Sequence, residues 1–195
     1  MQAVLAEDKG QGMKPIRTIY DLCAGSGAWS QPYLDAGYNV VRIEIMDGQD
    51  VRTLETVSGV HGVLAAPPCK RFSKAGACHW PKVTPRELAE ALAVVDACIR
   101  FIVAVRPQFW ALENPPGRLR RWIGKPAFIF QPFEFGDPWA KQTCLWGDFV
   151  APWHRRLVEP QFSWVKKYEA DTKDRAANRS KTPPGFARAF FEANP

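Results

Sequence analysis

Thr18-Ile19-Tyr20-Asp21-Leu22-Cys23-Ala24-Gly25-Ser26-Gly27 is a β-branched and aromatic run that feeds a glycine-rich turn. Ala28-Trp29-Ser30-Gln31-Pro32-Tyr33-Leu34-Asp35-Ala36 then reads as a helix with Pro32 in its first turns, and Gly37 stops it. Asn39-Val40-Val41-Arg42-Ile43 reads as a second strand with Glu44 at its carboxyl end. Strand, glycine turn, helix, strand, acid is the order of an α/β ligand-binding unit. Glycines there let the backbone approach a ligand closely, and an acid about 20 residues later binds ribose hydroxyls. Ser30 stands where a dinucleotide fingerprint has its third glycine, which argues against a nicotinamide or a flavin. A ligand with a ribose but no pyrophosphate suits the turn better, and S-adenosylmethionine is the first candidate.

Two further stretches carry candidate chemistry. Gly62-Val63-Leu64-Ala65 is a short apolar run that ends in Ala66-Pro67-Pro68-Cys69-Lys70-Arg71-Phe72-Ser73. Such a run bounded by prolines predicts a buried strand that ends in a rigid loop, because proline fixes φ and donates no backbone hydrogen bond. Cys69 has two readings. Held beside Lys70 and Arg71 it is a candidate nucleophile; otherwise it is a small buried cysteine at a strand end. Phe109-Trp110-Ala111-Leu112-Glu113-Asn114-Pro115-Pro116-Gly117 repeats the pattern. Glu113 is either a desolvated acid with a raised pKa or a loop carboxylate that caps a helix or pairs with Arg118 or Arg120. Open α/β sheets build their sites at the carboxyl edge, where Cys69 and Glu113 are both expected.

Taken together, these residues resemble the cytosine-C5 DNA methyltransferases. Asp21-Leu22-Cys23-Ala24-Gly25-Ser26-Gly27 resembles the family's cofactor turn and Glu44 its ribose-binding acid. Asp50-Val51 resembles the pair that contacts the adenine. Pro67-Pro68-Cys69-Lys70-Arg71-Phe72-Ser73 resembles the nucleophile loop, and Glu113-Asn114-Pro115 the Glu-Asn motif of the base pocket. Gln131-Pro132-Phe133-Glu134-Phe135-Gly136 and Lys141-Gln142-Thr143-Cys144-Leu145-Trp146 are similar to short methylase-like proteins of bacteriophages and prophages. The likeness runs from about Thr18 to the C-terminus.

The resemblance implies a Rossmann-like α/β methyltransferase fold, with a mostly parallel sheet and helices on both faces. It implies S-adenosyl-L-methionine as cofactor, held by Asp21, Cys23, Ala24, Gly25, Ser26, Gly27, Glu44, Asp50, Val51 and Pro67. It implies Cys69 and Glu113 as catalytic residues, and a base pocket of Pro68, Ser73, Asn114, Pro115, Lys141 and Thr143. DNA, duplex or single-stranded, is the implied partner.

The chain departs from the family in four places. Cys23 replaces the aromatic residue usual in the cofactor turn. Lys141-Gln142-Thr143 stands in place of an intact Gln-x-Arg-x-Arg strand motif. Ser180 replaces an asparagine in Ser180-Lys181-Thr182-Pro183-Pro184, which resembles the final motif. The long target-recognition domain is reduced to residues between Gly147 and Arg179. Little sequence reading, reliance on a separate targeting partner, or a preference for single strands follows from that last departure. Methyl transfer to RNA or to a free pyrimidine nucleotide stays open, as does a non-catalytic nucleic-acid-binding relative.

A chain of 195 residues is long enough for one domain with a real core. The first 14 residues read as a flexible lead-in without a signal-peptide pattern, and residues 15–195 as one domain. No apolar run approaches the ~18 residues of a membrane span. Five cysteines, odd in number and mostly in apolar segments, argue for a reducing cytoplasm, that of a bacterial host if the chain is phage-encoded. Without a Cys-x-x-Cys pair, no metal site is expected. The net charge is +6, and from Ala151 onward nine Lys or Arg face five Asp or Glu. Arg155, Arg156, Lys166 and Lys167 alternate there with Trp153, Phe162, Trp164 and Tyr168, and Arg71 adds a cation beside Cys69. Basic and aromatic side chains together suit a nucleic-acid surface; the plainer reading is a solvated basic loop.

Thr84 and Pro85 predict the start of a helix that runs to about Val105, before Pro107. Phe128 to Phe133 and Thr143 to Trp146 read as later strands, with Gly136-Asp137-Pro138-Trp139 as the loop between them. Pro184 to Glu192 reads as a C-terminal amphipathic helix.

Overall fold

Near-continuous burial along the central strands marks a sheet that is covered on both sides. The computed structural model describes residues 16–153, 157–163 and 181–195. Strands β1 (Thr18–Leu22), β2 (Asn39–Ile43), β3 (Val60–Ala65) and β4 (Phe109–Asn114) run parallel. β5 (Phe128–Phe130) and β7 (Thr143–Asp148) complete a six-stranded sheet in the order β2-β1-β3-β4-β7-β5, in which β7 is antiparallel to both neighbours. Two-residue strands β6 (Trp139–Ala140) and β8 (Phe162–Ser163) pair separately.

Successive side chains of a strand point to opposite faces. Tyr20, Leu22, Val63, Ala65, Leu112, Cys144 and Trp146 therefore meet helix α2 (Pro85–Val105) through Val95, Cys98, Phe101 and Ile102. On the other face Ile19, Leu64, Ala111 and Leu145 meet Trp29, Tyr33 of α1 (Gln31–Asp35), and Phe186 and Phe190 of the C-terminal helix (Pro184–Ala193). β3 is buried at every residue, as a strand sandwiched between two helical layers must be.

Helix α2 has the predicted bounds. Thr84 and Glu87 form a reciprocal capping box, and Arg106 ends the helix in a left-handed conformation. The short helix α3 (Arg120–Ile123) follows β4. The helix expected over Ala28 to Ala36 is shorter and starts at Gln31, because Trp29 and Ser30 are buried in closing the glycine turn. Phe128 to Phe133 is extended only to Phe130; Pro132 cannot donate to a sheet and opens a 3-10 turn over Pro132–Glu134. Residues Lys74–Lys82, which carried no expectation, form an extended 3-10 segment. Asp137, in the expected loop, accepts a hydrogen bond from the Gly185 amide at 3.0 Å and so pins the start of the C-terminal helix. Among the described residues no helix is long and apolar enough to cross a membrane.

Candidate active site at the carboxyl edge of the sheet

Strand register sets the site. Ile43, Leu22, Ala65 and Leu112 form one row across β2, β1, β3 and β4. The next residues along the chain are Glu44, Cys23, Ala66 and Glu113, so the acid, the glycine turn, the proline loop and the second acid leave the sheet side by side. The strand order reverses between β1 and β3, which is where such sheets open a crevice. β7 enters from the opposite direction, with Glu113 facing Leu145 and Asn114 facing Cys144. That reversal brings Lys141 and Thr143 to the same edge.

In the glycine turn, the Gly25 amide donates to Glu44 Oε2 at 2.7 Å and the Gly27 amide to the Ala24 carbonyl at 2.8 Å. Gly25 has φ +54° and open space where a side chain would stand. Gly25 and Ser26 are exposed, and Glu44 is half-buried. These are features of a cradle for a ligand that brings hydroxyls to a carboxylate. Cys23 is also left-handed, at φ +56°. Its side chain packs toward α2, where its thiol contacts that of Cys98; this contact and burial push the Cys98 thiol up. Asp21 lies buried beneath the turn and accepts a hydrogen bond from Ser30 Oγ at 2.6 Å. Burial raises its pKa to about 7 despite Ser30 and Arg42. Asp50 caps the 3-10 turn Val51–Thr53 and is bound to Arg52 at 2.6 Å, while Val51 is buried.

In the proline loop after β3, Pro67 is buried, Pro68 exposed and Cys69 half-buried. The Cys69 carbonyl accepts from the amides of Phe72 at 2.8 Å and Ser73 at 2.9 Å, which folds the loop into a tight turn. The Ser73 hydroxyl accepts from the Ala75 amide and so caps the following 3-10 segment. A second loop laces onto this one. Buried Asn114 donates through Nδ2 to the Pro67 carbonyl at 2.8 Å. Arg118 donates through Nε to the Arg71 carbonyl at 2.7 Å and through its amide to the Phe72 carbonyl. The Lys74 amide donates to the Pro116 carbonyl at 2.7 Å. Gly117 is required at the crossing, since a Cβ there would lie 1.9 Å from the Phe72 carbonyl oxygen.

Glu113 is half-buried; desolvation raises its pKa, and the charge of Lys141 opposes the rise. Thr143 is buried, with its hydroxyl donating to the Lys141 carbonyl at 2.9 Å. Pro115 leads into the lacing loop. Arg71 is paired with Glu87 at the start of α2. Arg155, Arg156, Lys166 and Lys167, with residues 1–15, lie outside the described residues.

Sequence reasoning did not single out Arg42, Gly117 or Arg118 as site residues. Arg42 spans the turn, donating to Gln31 Oε1 at 3.1 Å and to the Gly27 carbonyl at 3.3 Å. Pro115-Pro116-Gly117 was a legible turn signal, but the backbone that makes its glycine necessary is 45 residues away in the chain.

No protein-family model matches the chain. It is 28% identical over 124 residues to the type II methyltransferase M.DdeI of Desulfomicrobium norvegicum, a match that covers 52% of this chain. The match spans 28% of the length of that relative. A crystal structure of a prophage-encoded E. coli protein, assigned as a DNA modification methyltransferase, superposes with a TM-score of 0.52 at 16% identity. That superposition covers 81% of this chain and 56% of the other. The Entamoeba histolytica methyltransferase EhMeth aligns over 82% of this chain and 61% of its own, with a TM-score of 0.46 and 13% identity. The chain is thus similar in sequence to part of a type II methyltransferase, and it has the mixed α/β fold of its methyltransferase structural neighbour.

Proposed function

We propose that the chain transfers a methyl group from S-adenosylmethionine to C5 of cytosine in DNA. The observation that carries this reading is the single row Ile43–Leu22–Ala65–Leu112, which sets the glycine turn and Glu44 beside the Cys69 loop and Glu113. The relative of known type, M.DdeI, is named a methyltransferase and supports the same class.

The open face at Gly25 and the carboxylate of Glu44 suit the ribose of S-adenosylmethionine, which supplies an electrophilic methyl on a sulfonium. The remaining chemistry belongs to the chain. C5 of cytosine is a weak nucleophile. The Cys69 thiolate adds to C6, and the resulting enamine makes C5 electron-rich. Glu113, with its pKa raised by desolvation, stays protonated to higher pH and donates toward N3 as negative charge develops. C5 takes the methyl group, its proton leaves to a base, and Cys69 is expelled as the C5–C6 double bond re-forms. The lacing of Asn114 to Pro67 and of Arg118 to Arg71 holds the two loops in one geometry for this sequence of steps. A cytosine in duplex DNA must first leave the stack, at about a few kcal/mol.

The test is covalent trapping. With S-adenosylmethionine present, C5 of a 5-fluorocytosine in DNA takes the methyl group but cannot then lose fluorine as a cation, so a stable adduct should form with the wild-type chain and none with Cys69→Ser. An adduct that persists in Cys69→Ser, or that maps to exposed Cys78, overturns the assignment. Parallel incubation of labelled S-adenosylmethionine with DNA, RNA and dCMP separates the DNA reading from its RNA and nucleotide alternatives.

A further inference from the structure

Beyond Cys69 the chain closes around a second concavity. Lys70, Arg71, His79, Trp80, Lys82 and Val83 line a cavity of about 310 Å³. Pockets for small ligands run from roughly 300 to 1,000 Å³, so this one has room for a single nucleotide. Its walls come from the residues immediately after the nucleophile and from the 3-10 segment Lys74–Lys82. Three side chains are cationic; Glu87 pairs with Arg71, and no carboxylate lines the cavity itself. The Arg118 guanidinium lies 5.1 Å from the Trp80 ring centroid and holds the ring by a cation–π contact.

Cations beside an aromatic ring are the combination that holds a single nucleic-acid strand, phosphate on charge and base on ring. We propose that this cavity seats one nucleotide of a single strand next to the target cytosine, with its phosphate against Lys70 and Lys82 and its base against Trp80. The proposal rests on the nucleic-acid substrate of the preceding reading and adds a site that reads no base edge. A strand is preferred to a free nucleotide because Lys70 and Arg71 directly follow Cys69, so the cavity continues the path of a chain whose target base reaches that thiol. Such a seat anchors an unstacked strand without sequence preference.

The probe is an eight-nucleotide oligothymidylate, which binds as a strand and offers no cytosine for methyl transfer. His79 and Lys82 are both exposed, so the double variant His79→Ala/Lys82→Ala leaves the packing intact. Fluorescence anisotropy over a salt series should show affinity reduced roughly tenfold and a log–log salt slope reduced by about 0.7 per lost phosphate contact. Tryptophan emission of the wild type should be quenched by the octamer, and Trp80→Phe should remove most of that quenching. Unchanged affinity and slope in the double variant overturn the proposal. Thymidine monophosphate binding as tightly as the octamer also overturns it, in favour of a free nucleotide. The arms separate the two readings: octamer binding through His79 and Lys82 without any methyl transfer to cytosine sinks the proposed activity and keeps this site. Methyl transfer with an indifferent double variant does the reverse.

Discussion

Asp21 illustrates how burial acts on a residue of the candidate site. Its carboxyl lies beneath the glycine turn, bound by Ser30, with a pKa of about 7 against an ordinary 3.8. Burial is the main cause, and Ser30 and Arg42 offset it only in part. Between these two values the folded chain keeps a proton that the unfolded chain has released. The group's contribution to stability is therefore fully present below about pH 4 and is lost as pH rises through 7. Asn at this position cannot ionise but still accepts from Ser30. Between pH 5 and pH 8, urea denaturation should show the wild type losing about 2–3 kcal/mol more stability than Asp21→Asn. Equal losses would mean that Asp21 is ionised in the fold. Local sequence identified Asp21 as part of the turn; that its side chain points under the turn follows from its place on a strand buried on both faces.

At the scale of elements, the two proline loops behave as one unit. Each is short and stiff by itself, and the hydrogen bonds of Asn114, Arg118 and Lys74 join them. Gly117→Ala tests the joint. The added methyl would meet backbone, the Phe72 carbonyl oxygen at 1.9 Å, which cannot swing aside as a flexible side chain would. We expect a loss of about 1–3 kcal/mol of stability and a drop in the proposed methyl transfer larger than the stability loss explains. Measuring both at a temperature where the variant is fully folded checks this; unchanged methyl transfer would mean that the Cys69 loop holds its shape without the second loop.

Across the whole molecule, two helical layers hold the sheet, and the C-terminal helix supplies much of one of them. Phe190 is fully buried against Trp29, Phe109, Phe149 and Phe186. Asn194 ties the end of the helix to both backbone groups of Val150. Phe190→Ala leaves a cavity and should cost about 3–5 kcal/mol by urea unfolding, without a change in the slope of the transition. Trp29 links this layer to the glycine turn, so affinity for the proposed S-adenosylmethionine should weaken with it, while the lacing between the Cys69 and Glu113 loops, on the other face, should hold. Unfolding at the wild-type urea midpoint would mean that the helix is dispensable to the core.

What the sequence determined by itself is local. β-branched runs, the glycine turn, Pro85 after Thr84 and the acids at strand ends all act over a few residues, so β1 to β4, α2 and the parallel edge that carries Glu44, Cys69 and Glu113 were legible. Tertiary structure alone decided the rest. The direction of β7 is not written in its composition, yet that reversal is what brings Lys141 and Thr143 to the site. The contact of Cys23 with Cys98, the lacing of Asn114 to Pro67, and the cavity at Trp80 each join residues from separate elements. Such contacts depend on how helices and strands pack, and packing is a property of the assembled layers that no single stretch of chain contains.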